Sequence, residues 1–409
     1  MTITPANPRT ALMERLVAKA GGVRSEATIQ ADVRMLLLDP ELGLADDDLE
    51  VQLEAQVGGR RIDVEVGCTV IEVKKSLRSP AVVSAAVDQL TGYVVARSAE
   101  MGQRYVGILT DGELWIAFHE VEAILREATR HTATTGEAGA AALLRWLEGV
   151  LATRRAIAPT PQEIADRLGA ESSSHALDHS TLSALYADSR TLPTVALKRE
   201  LWASLLRSAL GAQFTDSDEL FLEHTLLVNS AEIIAHLVLG LNAEELSPAT
   251  LLSGDQFAAA GLHGVVDRDF FDWVLEVPGG EGFVAALARR LARFDWSEVE
   301  HDVLKVLYES VISAETRKAL GEYYTPDWLA NRVVSEVVTD PLNQRVLDPS
   351  CGSGTFVLYA VRRFLDAAAE AGLDLPEAMA LVSSRVMGID LHPGRGCPGP
   401  GHLPAGPGP

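Results

Sequence analysis

Cysteine is scarce: Cys68, Cys351 and Cys397 are the only three in 409 residues, and no two stand in a Cys-x-x-Cys spacing. An odd, scattered set excludes a disulfide framework and a thiolate zinc site, and suits a reducing cytoplasm. Long apolar runs are missing as well. The most apolar stretch, Ile233 to Leu241, is interrupted by His236 and is far too short to cross a bilayer. Residues 1–22 carry Glu14 and Lys19 in a short amphipathic pattern and lack the apolar centre of a signal peptide. Basic charge is outnumbered: 35 Lys and Arg against 57 Asp and Glu leave a formal net charge of −22. That balance argues against a broad nonspecific surface for nucleic acid.

The rest of the composition, 47% hydrophobic and 22% charged, is that of a globular chain able to bury a sizeable core. Its length predicts two or three domains.

The stretch Val346-Leu347-Asp348-Pro349-Ser350-Cys351-Gly352-Ser353-Gly354-Thr355-Phe356 reads as strand, glycine turn and helix. Such a turn lets backbone N–H groups and a helix N-terminus approach a nucleotide, while the carboxylate closing the strand can hold a cationic amine. Upstream, Gly321-Glu322-Tyr323-Tyr324-Thr325-Pro326 leads into a helix, with Thr325 expected as N-cap and Pro326 at the first helical position. Downstream, Val386 to Asp390 is a second short strand ending in a carboxylate. Together these motifs resemble the N6-adenine DNA methyltransferases of restriction-modification systems. The resemblance implies S-adenosyl-L-methionine as cofactor, walled by Tyr324, Thr325 and Pro326. Asp348, Gly352 and Gly354 would hold its methionine part and Asp390 its ribose. It covers about the last quarter of the chain.

Residues 24 to 118 read as an α/β unit. A helix over Glu26–Leu38 precedes strands expected at Leu49–Val57, Ile62–Val66 and Val70–Lys74, with turns at Gly58-Gly59 and Gly67. A helix follows from Ala81 to Ala96, then strands Tyr105–Thr110 and Glu113–Phe118 joined at Asp111-Gly112. Glu72 and Lys74, two apart, project from one face of their strand, and Asp63 sits on the strand before. Paired carboxylates hold hard cations such as Mg²⁺ that stabilise a phosphate under attack, and a lysine can orient the attacking water. Asp63 followed by Glu72-Val73-Lys74 resembles the motif of the PD-(D/E)XK nucleases, although Ile62 replaces the usual proline. Gln89 and Tyr93, one turn apart on the following helix, resemble the accessory Gln-x-x-x-Tyr of one branch of that family. The resemblance implies Asp63, Glu72, Lys74, Gln89 and Tyr93 as catalytic residues, Asp63 and Glu72 as metal ligands, and Glu26 as a candidate upstream acid.

From Glu120 to Tyr308 the periodicity is almost entirely helical. Gln162 to Gly169 looks like the first helix of a helix-turn-helix, but no basic recognition helix follows, so an ordinary amphipathic helix is expected. His224 and His236 stand among apolar neighbours and are expected to be packed or partly exposed, and Ser172-Ser173-Ser174 marks a flexible loop. The organisation expected is thus α/β and multidomain. It comprises an N-terminal helix (1–22), a nuclease-like unit (23–120), a helical connector (121–312) and the start of a Rossmann-like methyltransferase domain (313–393). A Gly/Pro-rich tail (394–409) closes the chain.

The reading that results is a fused restriction-modification enzyme acting on double-stranded DNA. Its rivals are an inactive remnant and a methyltransferase with a non-DNA substrate. No Asn-Pro-Pro-aromatic motif follows Asp390, so this chain by itself is expected not to methylate adenine. The tail has neither period. Codons can be chosen for it so that reading from the second base gives Val-Ala-Val-Ala-Leu-Ala-Arg-Val-Thr-Tyr-Leu-Leu-Ala, a helix-compatible peptide. Composition alone favours a disordered tail over 394–409; the alternative is a single inserted nucleotide near the Pro393 codon that cut a longer enzyme short, and the gene sequence around that codon decides between them.

Overall fold

Caps and glycines set where the elements begin and end. A computed structural model describes residues 8–17, 24–44, 56–57, 60–153, 156–210, 214–259, 269–298, 302–319, 325–352 and 354–389. Helices α1 (Pro8–Val17) and α2 (Glu26–Leu37) come first, and the Ser25 hydroxyl caps α2 by accepting the Thr28 N–H at 3.2 Å. Strands β1 (Gln56–Val57), β2 (Arg60–Arg61), β3 (Val64–Val66) and β4 (Thr69–Val73) precede α3 (Pro80–Met101). Pro80 stands in the first turn of α3, and Gly102 ends it at φ 63°. Then follow β5 (Val106–Thr110), β6 (Leu114–Val121), β7 (Ile124–Thr132), α4 (Gly136–Leu151), α5 (Pro161–Leu168), α6 (Ser173–Ser189), α7 (Pro193–Leu210) and α8 (Asp218–Val238). The remaining elements are α9 (Pro248–Leu251), α10 (Asp255–Ala259), α11 (Gly280–Leu291), α12 (Val303–Val311), α13 (Ala314–Ala319), α14 (Asp327–Val337), β8 (Val346–Asp348), α15 (Thr355–Glu370), α16 (Leu375–Val382) and β9 (Val386–Gly388). No helix among the described residues is long and apolar enough to cross a membrane.

The chain divides into two units that interleave along the sequence. One takes Met1–Ala158, Asp166–Ser189 and Val277–Asp295; the other takes Pro159–Ala165, Arg190–Glu276 and Trp296–Pro409. The first is built on a mixed five-stranded sheet in the order β3-β4-β5-β6-β7, with β4 and β5 parallel and the other pairs antiparallel. Parallel neighbours need a crossover, which α3 supplies. All five residues of β4 are buried, because both faces of the sheet are covered. Val70, Leu109, Ile116 and Phe118 pack with Leu90, Tyr93 and Val94 of α3. Val64, Ile71, Val73, Ile108, Trp115 and Ala117 share the other core with apolar residues of α1, α2 and α4.

Two expectations for this stretch are corrected. The region expected to be helical from residue 120 opens with strand: β6 runs on to Val121 and β7 adds a fifth strand. Only Leu125 of β7 is buried, so an edge strand with charged residues along it offers almost no apolar period to read. Ser173 and Ser174 are not loop residues either. They open α6, buried, with hydroxyls donating to the carbonyls of Trp146 at 2.8 Å and Gly149 at 3.0 Å. Of the expected strand Leu49–Val57, Gln56–Val57 is strand and pairs with β2; residues 49–55 and the Gly58-Gly59 turn lie outside the described residues.

In the second unit, α7 and α8 enclose Trp202, Phe221, Phe271 and Trp273. His224 and His236 are both buried, and Nδ1 of His224 accepts the Trp202 indole N–H at 3.3 Å. Farther on, β8 and β9 pair in parallel, Val346 with Val386 and Asp348 with Gly388. Helix α15 packs on α14 through Val334, Val338 and Ala360, and on α16 through Phe364, Ala368, Ala378 and Val382. The tail 394–409 lies outside the described residues.

Candidate functional site

The first cluster forms where β3 and β4 run side by side. Val64 pairs with Ile71, so Asp63 arrives beside Glu72 on the sheet face covered by α3. The Val73 N–H donates to Oδ2 of Asp63 at 2.8 Å. The Lys74 ammonium bonds Oε1 of Glu72 and reaches Oε1 of Gln89 at 3.3 Å. The Gln89 amide in turn donates to the Tyr93 hydroxyl at 3.0 Å. Glu72, Lys74, Gln89 and Tyr93 thus stand in one hydrogen-bonded chain, and Asp63 is held beside it by the Val73 N–H. Glu26, on α2, accepts the Lys75 N–H at 3.3 Å, and its charge acts on Asp63, Glu72 and Lys74.

Burial sets the electrostatics of this cluster. Glu72 is only 1% exposed, and burial pushes its carboxyl up to about 7 against the pull of Lys74, with the Asp63 charge adding. Asp63 is also raised by burial, against the Val73 N–H. Burial would lower Lys74, but the bond to Glu72 and the surrounding acids more than offset it, and the ammonium is held above its usual value. Oε2 of Glu72 is buried without a hydrogen-bond partner. A buried carboxylate oxygen left bare is costly, and a cation would satisfy it. Sequence reasoning missed Gln30, whose side chain also bonds Asp63. Gln30 follows Glu26 by one turn on the same helix face, but nothing local in the sequence says that this face meets Asp63.

The second cluster sits at the end of β8. Oδ1 of Asp348 accepts the Ser350 N–H at 3.1 Å, while its Oδ2 is buried and unpartnered among the described residues. The chain then turns through Gly352 at φ 56° and Gly354 at φ 96° into α15. Both conformations favour glycine, and both bring the turn's backbone into the open N-terminal end of the helix. The turn is pinned to the end of β9: the Cys351 N–H donates to the Ile389 carbonyl at 3.0 Å, and the Ile389 N–H to the Asp348 carbonyl at 2.8 Å.

A buried bracket holds the upstream segment beside this turn. Asp302 caps α12 through Oδ1 and accepts the Thr355 hydroxyl on Oδ2 at 3.0 Å. One turn along, Lys305 donates to the Thr325 carbonyl at 2.8 Å and to Asp327 at 2.9 Å. Neither Asp302 nor Lys305 was singled out from sequence, although Asp-x-x-Lys at a helix start is a capping pattern. The cap of α14 is also corrected: Pro326 occupies the N-cap, with no side-chain bond, and Thr325 contributes its backbone carbonyl. Tyr324 and Asp390 lie outside the described residues.

A sheet-borne acid cluster and a glycine turn closing a parallel β-α-β segment define an α/β protein with two separate candidate sites. Residues 299–374, which include the glycine turn and the Asp302–Lys305 bracket, match the family N-6 DNA Methylase. Over 172 residues the chain is 27% identical to the Type I restriction enzyme MjaVII methylase subunit of Methanocaldococcus jannaschii, covering 41% of this chain and 28% of that one. It is 26% identical over 151 residues to the MjaVIII methylase subunit of the same organism, covering 36% and 24%. The chain thus spans about a quarter of the length of these relatives. Among solved structures, a chain of the "cryoEM structure DrdV-DNA complex" aligns at 17% identity and a TM-score of 0.27, covering 93% of this chain and 36% of that one. The C-terminal segment is thus similar to the methylase subunits of restriction enzymes, over part of their length.

Proposed function

We propose that this chain combines a Mg²⁺-dependent DNA-cleaving centre with the cofactor-binding part of an adenine-specific DNA methyltransferase, acting on double-stranded DNA. The observation that carries the cleavage half is the hydrogen-bonded convergence of Asp63, Glu72, Lys74, Gln89 and Tyr93 in a chain that also carries a DNA methylase segment. Asp63 and the bare oxygen of Glu72 would hold the metal, which would stabilise the charge developing on an attacked phosphate. Lys74, fixed between Glu72 and Gln89, orients a water for in-line attack. Tyr93 sets the Gln89 amide so that its oxygen faces Lys74.

For the methyltransferase half, the unpartnered Oδ2 of Asp348 fits the ammonium of the cofactor's methionine part, and the Gly352–Gly354 turn leaves room for it against the backbone. The bound cofactor would supply the methyl group. Asp390 would bind its ribose, with Tyr324, Thr325 and Pro326 forming a wall kept in place by Lys305.

Incubation of the purified chain with plasmid DNA tests the first half. Cleavage is expected in Mg²⁺, is lost in EDTA, and falls at least a thousandfold in Lys74→Ala and Asp63→Ala, a loss on the order of a critical catalytic group. Wild-type cleavage by Lys74→Ala, or in EDTA, removes the assignment. Calorimetric titration with S-adenosylmethionine tests the second half. Binding is expected for the wild type and is lost in Asp348→Ala.

A further inference from the structure

On the sheet face opposite the acid cluster, the first unit encloses a cavity of about 150 Å³. It lies between the β4–β5–β6 row Thr69–Val106–His119 and helices α4, α6 and α11. Its polar lining comes from Thr69, Arg104, His119, Thr181, Arg289 and Arg290. No carboxylate is among its lining residues.

Arg290 is tied by both carboxylate oxygens of Asp178, with Nε 2.9 and 3.0 Å away. Arg293, fully buried, shares Glu148 with Arg167. Arg104 has no carboxylate within ion-pairing distance among the described residues. Its side-chain bond goes to the Glu120 backbone carbonyl, and the Glu120 carboxylate, whose charge also acts on Arg104, accepts the Ala123 N–H at 2.6 Å. Burial, together with the charge of Arg290, pulls the Arg104 guanidinium down to about 10. Beside it, His119 is 1% exposed. One ring nitrogen, Nε2, bonds the Ser180 hydroxyl at 2.9 Å, and the other, Nδ1, is buried with no partner. Burial and the charges of Arg104 and Arg126 keep the ring neutral, pulling its pKa down to about 3. In the tautomer whose Nε2 accepts from Ser180, Nδ1 carries the proton and needs an acceptor.

We propose that this cavity binds a small phosphoryl anion, held by Arg104 and the His119 Nδ1–H. A guanidinium with donors to spare, a neutral imidazole donor and threonine hydroxyls form a set for a tetrahedral oxyanion. The volume limits the ligand to one phosphoryl group with a small appendage, since whole drug-sized ligands take about 300 Å³ or more. The site is independent of both proposed activities. It lies on the other sheet face from Glu72 and three residues along β4 from it, roughly 10 Å.

Thermal melting of the full chain at constant ionic strength tests this, with chloride as the control salt and inorganic phosphate and glycerol phosphate as ligands. A saturable rise in melting temperature is expected. A rise with phosphate identifies the free ion as a ligand, and a rise with glycerol phosphate alone identifies a phosphomonoester. The rise should vanish in Arg104→Met and be partly retained in Arg104→Lys. Calorimetric titration of the unmutated protein keeps the test decisive if Arg104→Met does not fold. Heats that fail to saturate with either ligand, or a full rise in a folded Arg104→Met, overturn the proposal.

Discussion

At the scale of single residues, the grouping of Asp63, Glu72 and Lys74 was legible because strand parity is strict. Glu72 and Lys74 had to share a face, and Asp63 had to come from the neighbouring strand. Gln30 was not, because its role depends on where α2 lies against the sheet, which no local pattern encodes. Its bond favours the charged form of Asp63. Gln30→Ala should therefore raise the Mg²⁺ concentration needed for half-maximal cleavage by roughly three- to tenfold, the worth of one hydrogen bond. An unchanged requirement would show that Gln30 does not position Asp63. Elsewhere, burial pushes the Asp269 carboxyl up to about 6, against the Phe271 N–H and with the Asp272 charge adding. A carboxyl raised in this way favours the neutral acid when folded, so its stabilising contribution is present below the unfolded value of 3.8 and lost as pH rises through about 6. Asp269→Asn stays neutral. By urea unfolding it should match the wild type near pH ~4 and exceed it by up to about 3 kcal/mol near pH ~7.5, and a pH-independent difference would contradict this sign.

At the scale of elements, helices with a clear apolar stripe were readable and elements defined by their neighbours were not. Strand β7 borrows its identity from pairing with β6, and the start of α6 from hydroxyls that satisfy carbonyls of α4. That contact needs Gly149, where an added Cβ would lie 2.2 Å from the Ser173 hydroxyl oxygen. Gly149→Ala should cost roughly 1–3 kcal/mol in urea unfolding, as overpacking does. Gly388 plays the same part in the second unit, where a Cβ would meet Val357 Cγ2 at 2.9 Å and Cys351 Sγ at 3.0 Å. Gly388→Ala should force β9 away from the glycine turn and weaken S-adenosylmethionine binding at least tenfold by calorimetry, about 1.4 kcal/mol. Unchanged affinity would show that the turn tolerates the shift.

At the scale of the whole molecule, the contacts gather the chain into two units that interleave along the sequence. Long-range packing leaves no mark in local periodicity, so the return of residues 277–295 to the first unit could not be read in advance. A fragment ending at Ala158 lacks α6 and α11, and with them Leu177 of the core shared with the sheet. It should melt without cooperativity by circular dichroism, whereas a fragment ending at Asp295 should recover a cooperative transition. A sharp melt of the shorter piece would refute the need for the returning segments. The interleaving also orders events in time. Chains emerge from the ribosome N-terminus first, so the sheet bearing Asp63 and Glu72 waits, one flank bare, until residue 295 is out. By then the methylase-like stretch beginning at residue 299 is next in line. The unit proposed to cut DNA is thus completed only as synthesis of the methylase-like segment begins, so an unfinished chain carries the acid cluster on a half-covered sheet.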